Sequence, residues 1–460
     1  MIINKNNKVP LYEQLYNYLK SKILNSEFKT KDRLPSKREL AKNFGISVNT
    51  VTTALEQLVS EGYIESKERS GFYVLDINNL YTSNLKAKSN FKKDLSDENI
   101  LNLDDSFYYN AIAYDLFPSN SFRKIFGDII NRDLKKMNLS PQAQGDYSFR
   151  KQICNYLEMA RGFKTKPENI IISAGMEYLF QILFSIMDDQ VFGIENPGYN
   201  ALPKLLKNHN KRFYPINLDS DGLSVKNLEK TKVNMVITTP SHQFPTGIVM
   251  PINRRVSLLN WAYQNKSYII EDDYDSEFRY IGKPIPSLKS LDEQDRVIFM
   301  GNFSKSISPT LRISFMVLPD KLVKIYHERL PFLICPVSGI LQAMMTEFFM
   351  SNKFVRHINR MRRIYRKRRD KMIDILKNYK DIELSGTDAG LHLIAEFKND
   401  ISEEELISSA KAAGFSVYTM SEFFIDKIEL KNPKLLLGFG SMHTEIMDKK
   451  IRKLFNAFGL

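Results

Sequence analysis

Hydrophobic residues follow two different periodicities along this 460-residue chain. Near the start, Leu11, Leu15, Leu19 and Ile23 recur at helical spacing, which predicts an amphipathic helix. From about residue 101 onward, helical segments alternate with short apolar runs, which read NIIISAG, QVFGIE, NMVITTP, YIIEDD, RVIFMG and RISFMVLP. This alternation predicts an α/β domain built around a mainly parallel sheet. A long basic helix after about residue 350 leads into a smaller α+β C-terminal subdomain, which we place at 350–460.

The first 75 residues predict a helix-turn-helix followed by a β-hairpin, which together form a winged helix. Ser36 precedes Glu39 by three residues, the spacing of a capping box at the start of a helix. Gly45 predicts a tight turn, and Ser47 can cap the helix that follows. The segment YIESKERSGFYV then predicts two short strands around a basic turn. The predicted organisation is a winged-helix domain at 1–75, a flexible linker at 76–100 and a second domain at 101–460.

Polar residues begin the second helix of the helix-turn-helix, where such proteins reach base edges or phosphates in the major groove. These residues are Ser47, Asn49 and Thr50. Arg38, at the start of the preceding helix, can clamp a phosphate, and Gly71 lies in the wing, which can follow the DNA backbone or minor groove. Residues 1–75 hold 12 Lys and Arg against 8 Asp and Glu, which gives moderate support for DNA binding. A small helix-turn-helix can equally be a protein-interaction module.

Composition narrows the functional classes. The net charge of +13 favours a polyanionic partner. Two cysteines far apart in the sequence predict neither a disulfide framework nor a metal site. The start of the chain has no apolar segment like that of a signal peptide, and no apolar run approaches the roughly 20 residues of a membrane span. We therefore expect a cytoplasmic protein with no membrane partner.

Several chemically distinctive side chains follow the ends of two predicted strands within 268–312. They are Asp272, Tyr274, Ser304, Lys305 and Arg312. A carboxylate can keep a pyridine nitrogen protonated, a phenol can bind a ring oxygen, and a lysine amine can form a Schiff base with an aldehyde. An arginine and a hydroxyl can hold phosphate oxygens. This set predicts a site for pyridoxal 5'-phosphate, in which Lys305 forms the Schiff base.

A second phosphate contact is predicted where an apolar strand turns into a helix at Gly175. The backbone amides of Gly175 and Met176 would point at an anion from the positive end of that helix. Each predicted residue also has an ordinary structural explanation, since Asp272 could cap a turn and Arg312 could pair with an acid. The occurrence of the whole set at strand ends favours the cofactor site.

Two groups of motifs carry a resemblance to known families. The segments VPLYEQ, LPSKRELA and SVNTVTTALEQLVSEGYI resemble the GntR-type winged helix, and ENPGY, TPSHQFPTG, IIEDDYDSEF, FSK and AGLHLIAEF resemble fold-type I aminotransferases. Together they resemble the MocR/GabR family of bacterial regulators over nearly the whole chain. The resemblance implies Lys305 as the internal-aldimine lysine, Asp272 at the ring nitrogen, Tyr274 at the ring oxygen and Arg312 at the phosphate. It also implies a double-stranded DNA operator and a head-to-tail homodimer, with the winged helix of one subunit against the aminotransferase-like body of the other.

The chain departs from that family at several positions. Asn302 stands where relatives often carry a Ser or Thr phosphate ligand, and Ser140 stands where they often supply a tyrosine for the partner's phosphate. Asn200 and Glu422 occupy the predicted effector pocket, where amino-acid-binding members use arginines. A carboxylate ligand would be repelled by Glu422. We therefore expect an effector with a free amine, or pyridoxal phosphate alone.

Three functions are compatible with these features, and we expect the first. It is a regulator in which an amine or amino-acid effector, or pyridoxal phosphate itself, is sensed through the Lys305 aldimine and alters operator binding. The second is an active aminotransferase with an accessory DNA-binding domain, which would need an anchor for the substrate carboxylate. The third is a winged helix attached to a domain that no longer binds the cofactor, and the retained cofactor set argues against it.

Two other features have simpler explanations than a functional one. The segment 356–372 is very basic, but as a helix it would bury an apolar stripe and expose most of its charges to solvent. His242 could approach the cofactor ring, although a hydrogen-bonded structural histidine is the better interpretation. The roles of Gln243 and Phe244, which follow it, stay open.

Overall fold

The computed structural model describes residues 9–68, 70–76, 107–132, 139–282, 285–426, 428 and 430–460. The chain separates into two compact units, Met1–Glu98 and Asn99–Leu460, and each is described by itself. From residue 77 onward, the predicted linker lies outside the described residues. Within the described ranges, no helix has both the length and the apolar character needed to cross a membrane. The same ranges contain no group of three or more His, Cys, Asp or Glu side chains placed to hold a metal ion.

The first unit is a winged helix, as the sequence predicts. Its helices are α1 (Leu11–Leu24), α2 (Lys37–Phe44) and α3 (Val48–Ser60), and its antiparallel hairpin pairs β1 (Ile64–Lys67) with β2 (Gly71–Val74). Ser36 and Glu39 make both hydrogen bonds of the capping box at α2. Gly45 ends α2 in the left-handed conformation (φ 63°), which glycine adopts at little cost. Ser47 accepts a hydrogen bond from the Thr50 N–H and so caps α3.

Apolar side chains from the three helices and the hairpin form one core in this unit. Leu15 of α1 and Leu55 and Leu58 of α3 have no exposed surface. Each such leucine stabilises the folded unit by roughly 2 kcal/mol through the apolar surface that it removes from water. This packing fixes α3 against α1 and leaves the first turn of α3 at the surface.

The second unit is built on an eight-stranded, mainly parallel sheet. Its strands are β3 (Ile170–Ser173), β4 (Val191–Asn196), β5 (Arg212–Asp219), β6 (Gly222–Leu223), β7 (Met235–Thr238), β8 (Tyr268–Asp273), β9 (Val297–Asn302) and β10 (Ser314–Val317). They lie in the order β3-β10-β9-β8-β7-β4-β5-β6. Strands β9, β8, β7, β4 and β5 pair in parallel, whereas β10 is antiparallel to both of its neighbours, β3 and β9. The carboxyl ends of the parallel strands meet at one rim, where open α/β sheets bind ligands.

Hydrophobic cores lie on both faces of this sheet. Phe299 of β9 packs in one core, and its chain neighbours Ile298 and Met300 pack in another on the opposite face. The helices of this part are α4 (Ser119–Arg132), α5 (Tyr147–Arg161), α6 (Met176–Ile186), α7 (Ala201–Asn208), α8 (Val225–Leu228), α9 (Ile252–Gln264), α10 (Asp320–Arg329) and α11 (Gly339–Met350). Because both faces are covered, strands such as β3, β7 and β10 are buried along their whole length and read as short apolar runs in the sequence, whereas β5, next to the edge strand β6, is largely exposed.

The C-terminal part forms a smaller α+β subdomain. It contains α12 (Lys353–Leu376), β11 (Ile382–Ser385), β12 (His392–Phe397), α13 (Glu403–Ala412), β13 (Tyr418–Thr419), β14 (Lys434–Gly438) and α14 (Thr444–Ala457). The four strands form an antiparallel sheet in the order β11-β12-β14-β13. Helices α12, α13 and α14 contribute to the core that this sheet buries.

The basic segment 356–372 lies in α12, and its arginines are less solvated than the sequence suggests. The apolar stripe is buried as predicted, with Met361 and Tyr365 almost fully enclosed. Four arginines donate to backbone carbonyls: Arg362 to Glu277, Arg366 to Tyr280, Arg368 to Gly440 and Arg369 to Thr387. Much of the charge on this helix therefore ties it to neighbouring segments of the fold.

Candidate functional site

A cavity of about 310 Å³ opens at the carboxyl ends of the parallel strands. Every residue predicted to bind the cofactor lines it: Gly175, Met176, Asp272, Tyr274, Ser304, Lys305 and Arg312. These residues come from the ends of β3, β8 and β9 and from the segment that enters β10. The sheet topology therefore brings together residues that are up to 137 positions apart in the chain, Gly175 and Arg312.

Asp272 is placed as a partner for a protonated ring nitrogen. It is the last residue but one of β8, and its Oδ1 is enclosed without a hydrogen-bond partner among the described residues. Burial, with the negative charges of Asp273, Glu195 and Asp275, raises the pKa of its carboxyl to about 7. A positively charged pyridine N–H would supply both the missing hydrogen bond and the missing countercharge. The site thus fits the pyridine ring of pyridoxal phosphate.

Lys305 carries an amine suited to Schiff-base chemistry. Burial lowers its pKa to about 8, an effect that the negative charge of Asp275 opposes. The neutral amine is the nucleophile, so the lower pKa raises its fraction near neutral pH. Its Nζ donates a hydrogen bond to Asn110 Oδ1 at 2.6 Å. Asn110 is not among the predicted residues, because it lies 195 positions from Lys305 and belongs to none of the motifs. Its one signal in the sequence is an amide side chain beside Tyr108 and Tyr109.

Tyr274 reaches the same cavity from just beyond β8. Its hydroxyl lies 2.9 Å from His242 Nδ1, and that nitrogen lies 2.9 Å from Asp275 Oδ2. Burial, followed by the nearby carboxylates Asp275 and Asp272, raises the pKa of Tyr274 well above its usual value, so the phenol stays protonated and can donate a hydrogen bond. His242 is buried and does not line the cavity, in line with a structural histidine, and here it supports Tyr274. Of the two residues whose roles stayed open, Phe244 lines the cavity, whereas Gln243 donates to Glu195 and to backbone oxygens.

Gly175 and Arg312 form a cradle for an anion at the start of α6. Gly175 has a φ of 126°, and a Cβ at this position would collide with the Arg312 guanidinium. The arginine thus lies directly over the backbone at the positive end of α6, where free N–H groups favour negative charge. Ser304 lines the same region, and Asn302 holds the turn before it by accepting a hydrogen bond from the Ser304 N–H at 3.0 Å. The arrangement fits a phosphate group.

Glu177, in the first turn of α6, is also part of this cradle. Its Oε2 lies 2.8 Å from Arg312 Nη2, and the two side chains are about half-exposed, at 49% and 52%. The possibility that Arg312 pairs with an acid is therefore realised, although the sequence did not identify which acid. The carboxylate stands beside the place where a phosphate would bind.

The residues predicted to form an effector pocket do not line this cavity. Glu422 is exposed, and its Oε1 accepts a hydrogen bond from the Thr419 N–H at 3.0 Å, which caps the short helix Met420–Phe423. Asn200 immediately precedes α7, and it is the preceding residue, Tyr199, that lines the cavity. Ser140 is exposed and lies outside the lining as well. Tyr108, Tyr109 and Phe180 also line the cavity, and they are not among the residues predicted from the sequence.

The predicted DNA-contacting residues all belong to the winged helix. Ser47 and Asn49 are exposed at the start of α3, and Thr50 is partly exposed, with its hydroxyl 2.8 Å from that of Ser47. Arg38 is exposed in the first turn of α2. Gly71 begins β2 in the wing. The first turn of α3 thus presents short polar groups and few charges.

Comparisons with known proteins agree with this architecture. Residues 11–74 match the family model of bacterial regulatory proteins of the gntR family, and residues 99–424 match aminotransferase class I and II. The two matches define a class of protein, a helix-turn-helix regulator fused to an aminotransferase-like domain. The chain belongs to the family of HTH-type transcriptional regulators that includes MocR and PdxR, and the resemblance to the MocR/GabR family is confirmed.

Three relatives illustrate the match. The HTH-type transcriptional regulator YdeL of Bacillus subtilis is 36% identical over 98% of this chain and 97% of its own length. The probable rhizopine catabolism regulatory protein MocR of Rhizobium meliloti is 27% identical over 100% and 96%. The pyridoxine biosynthesis transcriptional regulator PdxR of Corynebacterium glutamicum is 29% identical over 93% and 92%.

Solved aminotransferases share the fold of the larger unit. Kynurenine aminotransferase from Pyrococcus horikoshii superposes with a TM-score of 0.70 at 22% identity, covering 84% of this chain and 98% of that one. At this level of identity the likeness establishes the fold alone. The predicted fold class, an N-terminal winged helix with a fold-type I aminotransferase-like domain, is therefore confirmed.

Proposed function

We propose that this transcriptional regulator uses pyridoxal phosphate as the reporter group of its aminotransferase-like domain. In this proposal an amine or amino-acid effector, or pyridoxal phosphate itself, is sensed at Lys305 and alters how a dimer binds its operator. The observation that carries the proposal is the enclosed, unpartnered Oδ1 of Asp272 in the cavity that also contains the Lys305 amine. A buried carboxyl oxygen without a partner is costly, and a ligand that supplies the partner offsets that cost.

Each of the residues predicted to bind the cofactor would have a defined part in holding it. Asp272 would accept the ring N–H, and Tyr274 would donate its hydroxyl proton to the ring oxygen. Arg312 and the amides at the start of α6, with Ser304, would hold the phosphate. When bound, pyridoxal phosphate would supply an aldehyde that reacts reversibly with primary amines, and Lys305 is the amine that the cavity offers to it.

The nature of the effector follows from the charges in the cavity. Among the described lining residues, Lys305 and Arg312 are the two cationic side chains, and both are assigned to the cofactor. No other described cation of the lining is left to clamp an effector carboxylate. An amine that lacks a carboxylate, or the cofactor alone, is therefore favoured over an amino acid. PdxR carries a name that links a related chain to pyridoxine biosynthesis.

The winged helix would read double-stranded DNA through α3. Ser47, Asn49 and Thr50 would face the major groove, Arg38 would contact a phosphate, and the wing at Gly71 would follow the backbone or minor groove. We further propose a head-to-tail homodimer in which effector binding changes the spacing of two winged helices. Such a change requires that the effector bind one dimer geometry more tightly than the other.

Two pairs of variants test this proposal. Purified protein incubated with pyridoxal phosphate should develop an absorbance band at the edge of the visible range, which Lys305→Ala abolishes and the exposed-lysine control Lys321→Ala retains. Arg38→Ala should weaken operator binding and retain the band, whereas Arg329→Ala, an exposed arginine of the second unit, should change neither. A wild-type protein without the band would overturn the cofactor assignment. Operator binding unaffected by Arg38→Ala would overturn the proposed DNA contact.

The alternative function is an active aminotransferase with an accessory DNA-binding domain. The joint presence of Asp272, Tyr274 and Lys305 in one cavity is what favours it. We expect little or no turnover, because no described lining cation remains for a substrate carboxylate. Rapid multiple-turnover formation of keto acid from amino acids and 2-oxoglutarate would instead establish the enzyme.

A further inference from the structure

The phosphate cradle contains its own anion. Glu177 Oε2 lies 2.8 Å from Arg312 Nη2, and a Cβ added to Gly175 would run into both groups. The carboxylate and the guanidinium thus meet above the first residue of the cradle, at the positive end of α6. An acid in this position already satisfies the charge preference of the helix end and of the arginine.

We propose that Glu177 competes with the cofactor phosphate for Arg312 and thereby weakens the binding of pyridoxal phosphate. This inference rests on the proposed function and concerns how that same site is loaded. A phosphate dianion arriving at Arg312 must displace the carboxylate or share the arginine with it, and either route costs binding free energy. The fraction of protein that carries the cofactor would then depend on the cofactor concentration, and the cofactor would not stay bound permanently.

The exposure of the pair determines the size of the effect. Both side chains are about half in solvent, so Glu177 can turn into water when phosphate arrives. Exposed ion pairs are weak, since water and salt screen them. Glu177 should therefore weaken phosphate binding without blocking it. A purely supporting role, in which Glu177 holds Arg312 in place for the phosphate, predicts the opposite sign when the acid is removed.

The test compares a phosphorylated with an unphosphorylated ligand. Full-length wild-type protein, Glu177→Gln and Asp188→Asn are titrated with pyridoxal phosphate and with pyridoxal, and the absorbance band is followed. Asp188→Asn is the matched control, because Asp188 forms an exposed pair with Arg329 at 2.6 Å and does not line the cavity. Glu177→Gln should bind pyridoxal phosphate about three- to tenfold more tightly and should leave pyridoxal affinity unchanged. Inorganic phosphate should also compete more strongly with pyridoxal phosphate in Glu177→Gln than in the wild type.

The outcomes separate this inference from the proposed function. A weaker or unchanged affinity of Glu177→Gln for pyridoxal phosphate would overturn the competition. An equal gain for both ligands would do so as well, because pyridoxal has no phosphate. The same gain in Asp188→Asn would show a general effect of charge and would also overturn it. If no protein forms the band with either ligand, the cofactor assignment fails and the competition fails with it.

Discussion

Ionisation of Asp272 should destabilise the protein when the cofactor is absent. An aspartate in an unfolded chain loses its proton near pH 3.8, whereas burial and neighbouring acids raise the pKa of Asp272 to about 7 in the fold. Between these values the folded protein holds a proton that the unfolded chain has released. The free energy of unfolding therefore falls as the pH rises through this window, and the loss is complete above about pH 7.

The shift sets the magnitude of the effect. Each unit of pKa difference corresponds to about 1.4 kcal/mol, so the shift of Asp272 corresponds to about 4 kcal/mol as an upper figure. Asp272→Asn removes the ionisation and keeps the size of the side chain. Without cofactor, the variant should thus be more stable than the wild type at about pH 8, whereas the two proteins should differ little in stability at about pH 4. Loading with pyridoxal phosphate should stabilise the wild type more than the variant, because the variant lacks the charge that pairs with the ring nitrogen.

Thermal unfolding of both proteins across this pH range, with and without pyridoxal phosphate, measures the effect. Burial also raises the pKa of Glu271 to about 6 and that of Glu277 to about 7. Both glutamates are present in the two proteins, so the difference in stability between the proteins reports on Asp272. A difference in stability that does not change with pH would refute the reasoning. So would equal stabilisation of the two proteins by the cofactor.

Three further predictions follow from the same structure. Gly175→Ala places a Cβ against Arg312 at a φ of 126°, so affinity for pyridoxal phosphate should fall about tenfold or more while affinity for pyridoxal changes less; equal losses would contradict the phosphate cradle. The rate at which the cofactor-free protein captures pyridoxal should rise with pH and level off above about 8, since the pKa of Lys305 is lowered to about 8; a rate independent of pH would contradict the neutral amine as nucleophile. Leu55→Ala should destabilise the winged helix by about 2–5 kcal/mol in chemical unfolding and leave cofactor titration unchanged. Coupled losses of both would show that the units do not behave separately.

The sequence predicts those features that depend on neighbours in the chain. Ser36, Glu39 and Gly45 act through hydrogen bonds or backbone angles within a few residues, and their spacing alone identifies the turn of the helix-turn-helix. Asp272 and Lys305 were predictable for a related reason. Asp272 lies at the end of one apolar strand and Lys305 just beyond the end of the next, and the carboxyl ends of parallel strands meet at one rim whatever the length of the segments between them.

Features that depend on distant partners could not be predicted. The hydrogen bond from Lys305 to Asn110 and the ion pair of Arg312 with Glu177 join residues 195 and 135 positions apart. Glu422 reads in the sequence as a group facing a ligand, yet it caps a turn of its own chain. Arg368 likewise reads as a solvated charge, and it instead donates to the Gly440 carbonyl within the fold.

The antiparallel strand β10 has a consequence for the size of the ligand that the cavity can hold. Since β9 ends at the rim and β10 starts there, in register with Ser314 opposite Asn302, the connecting loop leaves and returns at the same edge of the sheet. Lys305 and Arg312 lie near the two ends of that loop, so in the proposed function its length would set the distance between the group that holds an aldehyde and the group that holds a phosphate on the same small ring. Lengthening or shortening the loop would change the separation of Lys305 and Arg312 and leave the parallel strands in place. This one segment is therefore where protein engineering could change the size of the ligand that the cavity accepts.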